Sequence, residues 1–284
     1  MQSNNPVFRR SDAFNGASTN AYGNQTYPGN GAAHQAYGQP GGPDQQYGAP
    51  TTTGRPMTID SVVQKTGISL GIVIVFAALT WWMTPDIDPT GANPDLGPLI
   101  GAMTIGSLGA FALSMVNSFK RVISPPLVIA FAALEGVALG ALSKFFDAYF
   151  GDGIVTQAVI GTFAAFAGTL AAYKFFNIQV GSKFRTFVIA AMFGMVGLSL
   201  LEIVLGLFGS QLGLFGFGGV GLLFSIVGLV LGVFMLILDF DFVEKGVAAG
   251  IDERESWRAA FALTVSLVWI YTNLLRILAI FSQD

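Results

Sequence analysis

The sequence predicts an all-α integral membrane protein, a seven-transmembrane-helix bundle with a disordered N-terminal tail, on three observations. Of its 284 residues, 52% are hydrophobic and only 11% charged, where an ordinary soluble domain is roughly 25% charged. Seven apolar runs, each close to the ~20 residues that cross a bilayer, follow one another down the chain. The basic residues between those runs fall almost entirely on alternate connections, as the positive-inside rule requires of a multi-pass protein.

Residues 1–56 are built from Gly, Asn, Gln, Tyr, Pro and Ser and hold too few aliphatic side chains to form a core, so they are expected to be a disordered cytoplasmic tail. The single histidine, His34, lies there with no partner ligands. The repeated Tyr-Gly pairs fit a solvated tether, and Asn24-Gln25-Thr26 matches a glycosylation acceptor that a cytoplasmic tail never exposes to that machinery. The N-terminal MQSNNPVFRRSDAFNG is polar and lacks the apolar centre of a cleavable signal; the first apolar run is expected to serve as an uncleaved one. Cysteine is absent, which excludes disulfides, thiol nucleophiles and cysteine metal sites. A net charge of -3 with no basic tract argues against nucleic acid as a partner.

Residues 57–284 form the predicted transmembrane domain. Thr58 is placed to cap a helix leading into the first span. The spans themselves are expected at Gly67–Met83, Leu96–Phe119, Leu127–Ser143, Ile154–Phe176, Phe187–Phe208, Phe217–Leu238 and Ala259–Phe281. With the tail cytoplasmic, the inner segments hold Arg9, Arg10, Arg55, Lys65, Lys120, Arg121, Lys174, Lys183, Arg185, Lys245, Arg254 and Arg258. Lys144 alone falls outside, and Arg276 lies within the last span. The N-terminus is therefore expected inside and the C-terminus outside. Gly67/Gly71, Gly136/Gly140 and Gly228/Gly232 are spaced to let helix backbones approach closely.

Against this apolar frame, ionisable groups inside the spans are functional candidates by default. Glu135 in LEGVALG and Glu202 in LSLLEIVLG are each either a structural hydrogen-bonder or part of an ion path. In the sixth span, Gly228, Gly232 and Asp239 fall within about 40° of one another on a helical wheel, so Asp239 is expected to point into the bundle. Asp241 and Glu244 follow on a helix leaving the membrane and read as a solvated acidic mouth. In the seventh span, Ser266, Trp269, Asn273 and Arg276 cluster within about 80°. A hairpin turn centred near Ser256 would bring Asn273 level with Asp239, with Arg276 one turn further on and able to neutralise a carboxylate.

These motifs, SNNPVFRR before a variable tail, MTIDSVVQKTGISL, ALEGVALGALS and LDFDFVEKGV…WRAAFALTVSLVWIY, resemble the Bax inhibitor-1 (transmembrane Bax inhibitor motif) family in its actinobacterial-type branch. The resemblance implies a protein of the bacterial plasma membrane that leaks calcium ions and is gated by pH. It further implies a pair of acids, one in each of the last two helices, sharing protons near an arginine latch. Asp239 matches the first acid; the second falls at Asn273, an amide, and Arg276 is the nearby arginine. Glu135 or Glu202 then becomes a candidate second acid. Calcium ions, protons and lipid are the implied partners, with calcium as cargo and no cofactor. A proton-coupled secondary transporter and a non-transporting, stress-related membrane interaction protein are the alternatives. No enzyme is expected: the chain has no G-x-S-x-G elbow, no H-E-x-x-H motif and no second aspartate facing Asp239.

Overall fold

A computed structural model of the chain describes residues 55–89, 95–151 and 153–283. The tail reading, with His34, the Tyr-Gly pairs, Asn24 and the SNNPVFRR motif, lies outside these residues. The described residues fall within one compact unit, Thr51–Asp284. Seven helices build it: α1 Ile59–Met83, α2 Gly97–Phe119, α3 Pro125–Phe150, α4 Ile154–Phe175, α5 Ser182–Leu207, α6 Gly219–Ala248 and α7 Glu255–Phe281. All seven are long and apolar enough to cross a membrane.

Local chemistry accounts for the ends. Thr58 caps α1 through a reciprocal box, its hydroxyl accepting from the Ser61 amide while the Ser61 hydroxyl accepts from the Thr58 amide. Proline in the first turn opens α2 and α3, where a missing N–H is no loss. Gly153, with φ +92°, precedes α4, a left-handed conformation that glycine adopts freely. Several helices outrun their apolar cores: α1 starts at Ile59, α3 continues to Phe150, and α6 runs ten residues beyond Leu238 to Ala248. Hydropathy reports where hydrocarbon is crossed, whereas the backbone ladder continues into the polar interface.

α7 is the central post. It packs on α6, α1, α4 and α3, while α2 rests on α3 and α5 on α6. Burial follows that order, with 56% of the spanning window of α7 and 50% of α3 inside the protein, against 17% for α2 and α5. Three apolar clusters surround the post. Leu236, Phe240, Leu263, Leu267 and Ile270 join α6 to α7 with Val62 of α1. Leu139, Ala158, Tyr271 and Leu275 join α3, α4 and α7. Val128, Phe131 and Phe261 form the third, with the two rings edge to face at 5.0 Å.

Two of the three expected glycine pairs make close contacts. A Cβ on Gly136 or Gly140 would collide with the backbone of α1 at Val73 or Ala77, and one on Gly228 or Gly232 would collide with Asn273 or Ile270 of α7. Gly67 and Gly71 meet nothing within 4 Å, because that face of α1 is turned outward. Gly140→Val is therefore expected to destabilise the bundle by about 1–3 kcal/mol, the usual cost of overpacking, and Gly71→Val to leave it unchanged. Thermal unfolding in detergent of the two variants side by side measures the difference.

Candidate functional site

The α6–α7 turn spans residues 249–254, with Gly250 at φ +60°. It is held from outside the hairpin. The Met57 amide donates to the Ile251 carbonyl at 2.7 Å, and the Glu253 amide to the Arg55 carbonyl at 2.8 Å. Arg55 and Pro56, expected in the tail, thus join the bundle, and Met57 is buried beneath them at 1% exposure. Ser256, the expected turn centre, lies instead in the first turn of α7, fully buried with its hydroxyl 2.6 Å from that of Ser61.

This earlier turn resets what faces what. Asp239 is half-buried on α6, and Ser266 of α7 donates its hydroxyl to the carboxylate at 2.6 Å. Ser266 is Asp239's hydrogen-bond partner among the described residues. Asn273 is not level with Asp239: its amide group packs against Gly228, eleven residues earlier on α6, about 16 Å along the helix at 1.5 Å per residue. Its Nδ2 donates to the Trp269 carbonyl of its own helix, while Trp269 Nε1 donates across to the Gly228 carbonyl at 2.8 Å. The paired-acid reading of Asp239 with Asn273 is corrected accordingly. Ser266, already visible in the polar stripe of α7, occupies the facing position.

Arg276 also serves a different partner. Its guanidinium donates to the Leu214 carbonyl at 2.7 Å and lies 5.7 Å over the Phe215 ring. Glu202 holds the same loop from the other side, accepting from the amides of Leu212, Gly213 and Leu214 at 2.8, 3.0 and 3.2 Å. The Leu214 peptide groups thus stand between a 5%-exposed carboxylate and a guanidinium, each charge satisfied by backbone rather than by the other. That arrangement explains why two opposite charges survive within apolar helices. It assigns Glu202 and Arg276 to fastening the α5–α6 loop.

Of the two acids expected at a solvated mouth, Glu244 is exposed as expected, whereas Asp241 is not. Asp241 is 3% exposed and bound by Arg185 of α5 at 3.0 Å and Lys245 at 2.7 Å. Glu244 accepts from the Tyr173 hydroxyl of α4 at 2.5 Å. Both acids tie α6 to its neighbours because α6 stays helical to Ala248, Asp241 from the buried face and Glu244 from the exposed one.

Glu135 is half-buried on α3 and makes no hydrogen bond or ion pair with any described residue. The Ser143–Tyr271 hydroxyl contact at 2.6 Å and the Phe131–Phe261 ring pair set α3 beside α7 at a sequence offset of 128 to 130. Glu135 is therefore level with residues 263–265, within about one helical turn of Ser266. Two carboxylates, Glu135 and Asp239, stand at nearly one depth beside the central post. On α1, the buried Thr66 and Ser69 hydroxyls lack partners. Parallel register from Ser61–Ser256 puts Ser69 level with Thr264, at that same depth. Among the described residues no group of three Asp, Glu or His side chains is arranged to hold a metal ion.

Fold and site together define a multi-pass helical membrane protein with a carboxylate–hydroxyl pair inside its last helical hairpin. The chain belongs to the Bax inhibitor 1 like family, whose model matches residues 5–283. No curated protein matches it significantly.

Hydrogen bonds to a charged group contribute about 1.5–3 kcal/mol each. In Glu202→Ala the Leu212, Gly213 and Leu214 amides are expected to exchange with solvent at least about tenfold faster, with Ser256 and Ser266 amides unchanged. Hydrogen-exchange mass spectrometry reads both regions in one sample.

Proposed function

We propose that this family member is a pH-sensitive, calcium-permeable leak channel, with Asp239 as its titrating gate. The observation that carries the reading is the Asp239–Ser266 pair, a carboxylate in a membrane helix whose hydrogen-bond partner is a hydroxyl rather than a cation. A hydroxyl donates to an ionised carboxylate and accepts from a protonated one, so the pair stays bonded through a change of charge. A single acid titrates in one step, where two facing acids titrate as a coupled pair. Glu135, Thr66 and Ser69, polar groups without partners at the same depth or one turn from it, are the oxygen ligands that a passing hard cation favours.

The proposed setting is a bacterial plasma membrane with the N-terminus cytoplasmic. Lys65, Arg185, Lys245, Arg254 and Arg258 bond groups at the end of the bundle formed by the α6–α7 turn and the ends of α2 and α6, while Lys144 binds the Trp81 and Thr84 carbonyls and Asp86 at the other. Ions and protons are the proposed cargo and signal, without an enzymatic step or cofactor.

Calcium uptake into proteoliposomes across a pH series tests the gate. Asp239→Asn is expected to flatten the pH profile, and Ser266→Asp to broaden it by supplying the second acid. Asn273→Asp, about three helical turns away, leaves the shape unchanged. An intact profile in Asp239→Asn rejects the channel gate. Saturable uptake of an organic solute with a proton gradient favours a transporter instead, and stress protection retained by Asp239→Asn without flux favours an interaction protein.

A further inference from the structure

α1 and α4 make at most a marginal contact with one another. Between them lies a cavity of about 420 Å³ whose back wall is formed by Leu139 and Ser143 of α3 and Leu267 and Tyr271 of α7. The side walls are contributed by α1, from Leu70 to Trp81, and by α4, from Val155 to Phe163. Its hydroxyls are already paired: Ser143 with Tyr271 at 2.6 Å, and Thr162 to the Ala158 carbonyl at 2.8 Å. An apolar space with no unmet polar partner does not hold water. Its rim carries Ile74, Val159 and Phe163, exposed on spanning helices, so the groove is continuous with the lipid-facing surface.

The dimensions name the occupant. Leu70 to Trp81 covers eleven residues, about 16 Å of helix, and half of a ~30 Å hydrocarbon core is about 15 Å. Trp81 marks the interfacial end: its carbonyl accepts from Lys144, and its neighbour Trp82 is 83% exposed, as interfacial tryptophans are. We propose that this groove is a binding site for one acyl chain of a bilayer phospholipid, entering sideways between α1 and α4 from the leaflet on the Lys144 side. The chain fills the space between α1 and α4 and rests on the segment of α7 next to Ser266.

The test is photolabelling of the full chain in vesicles of phosphatidylcholine carrying a mid-chain diazirine, with adducts mapped by peptide mass spectrometry. Leu139, Leu267 and Tyr271 are each less than 9% exposed, out of reach of lipid that only surrounds the bundle. Adducts on these back-wall residues are expected. Adducts confined to outward residues such as Leu201 of α5 overturn the proposal, as does back-wall labelling by diazirine palmitate but not by the phospholipid. In the double variant Ala78→Phe, Val159→Phe, which fills the groove, back-wall labelling is expected to fall about tenfold, equivalent to excluding about two methylenes, with Leu201 labelling retained. Undiminished back-wall labelling in a folded filled variant also overturns it, and the wild-type map decides alone if that variant does not fold.

Discussion

The close approach of α6 to α7 is the constraint on which the rest of this structure depends. Gly228 and Gly232 leave no room for a Cβ against Asn273, Ile270 and Trp269, so the two helices have a single tolerable register. That register puts Ser266 on Asp239 and Trp269 Nε1 on the Gly228 carbonyl. In hydrocarbon, where apolar burial drives no helix association, such van der Waals fit and interhelical hydrogen bonds are what hold a bundle together. α7 then has one face committed to α6 and the remainder free to receive α1, α3 and α4.

Several charged groups around this post are answered by backbone or by an opposite charge. Lys144 gathers two carbonyls at the end of α1, Glu202 three amides, Arg276 a carbonyl of the same loop, and Asp241 two cations. Asp239 and Glu244 are answered instead by neutral hydroxyls, those of Ser266 and Tyr173, and Glu135 has no polar partner among the described residues.

Seven spans and the two close-packed glycine pairs were legible from hydropathy and spacing, because both report on how much apolar surface faces lipid and how near backbones come. Asp239 and its inward direction followed from the wheel it shares with Gly228 and Gly232. Its partner did not, since residues 251–256 read equally well as a longer turn; the turn position is set by Gly250 and by the pairing of Arg55 and Met57 with Glu253 and Ile251, contacts about two hundred residues apart in sequence. Of the two roles open to Glu202, the structural hydrogen-bonder is the one found, but its partners, like that of Arg276, which was read as a latch, are backbone groups of an irregular Gly-rich loop and leave no side-chain signature. Gly67 and Gly71 have the spacing of a packing pair but lack a facing helix, a fact that no local pattern encodes.

The seating of Met57 also carries a consequence for biogenesis. Its backbone partner, Ile251, is synthesised 194 residues later, roughly 10–40 s at ~5–20 residues per second. Throughout that interval α1 has its capping box and, once it emerges, α3 to lean on, but the hydrogen bonds at its entry remain open. The residue at the threshold of the first span is therefore among the last to be fastened, and the emergence of the final hairpin is the event that locks the beginning of the bundle in place.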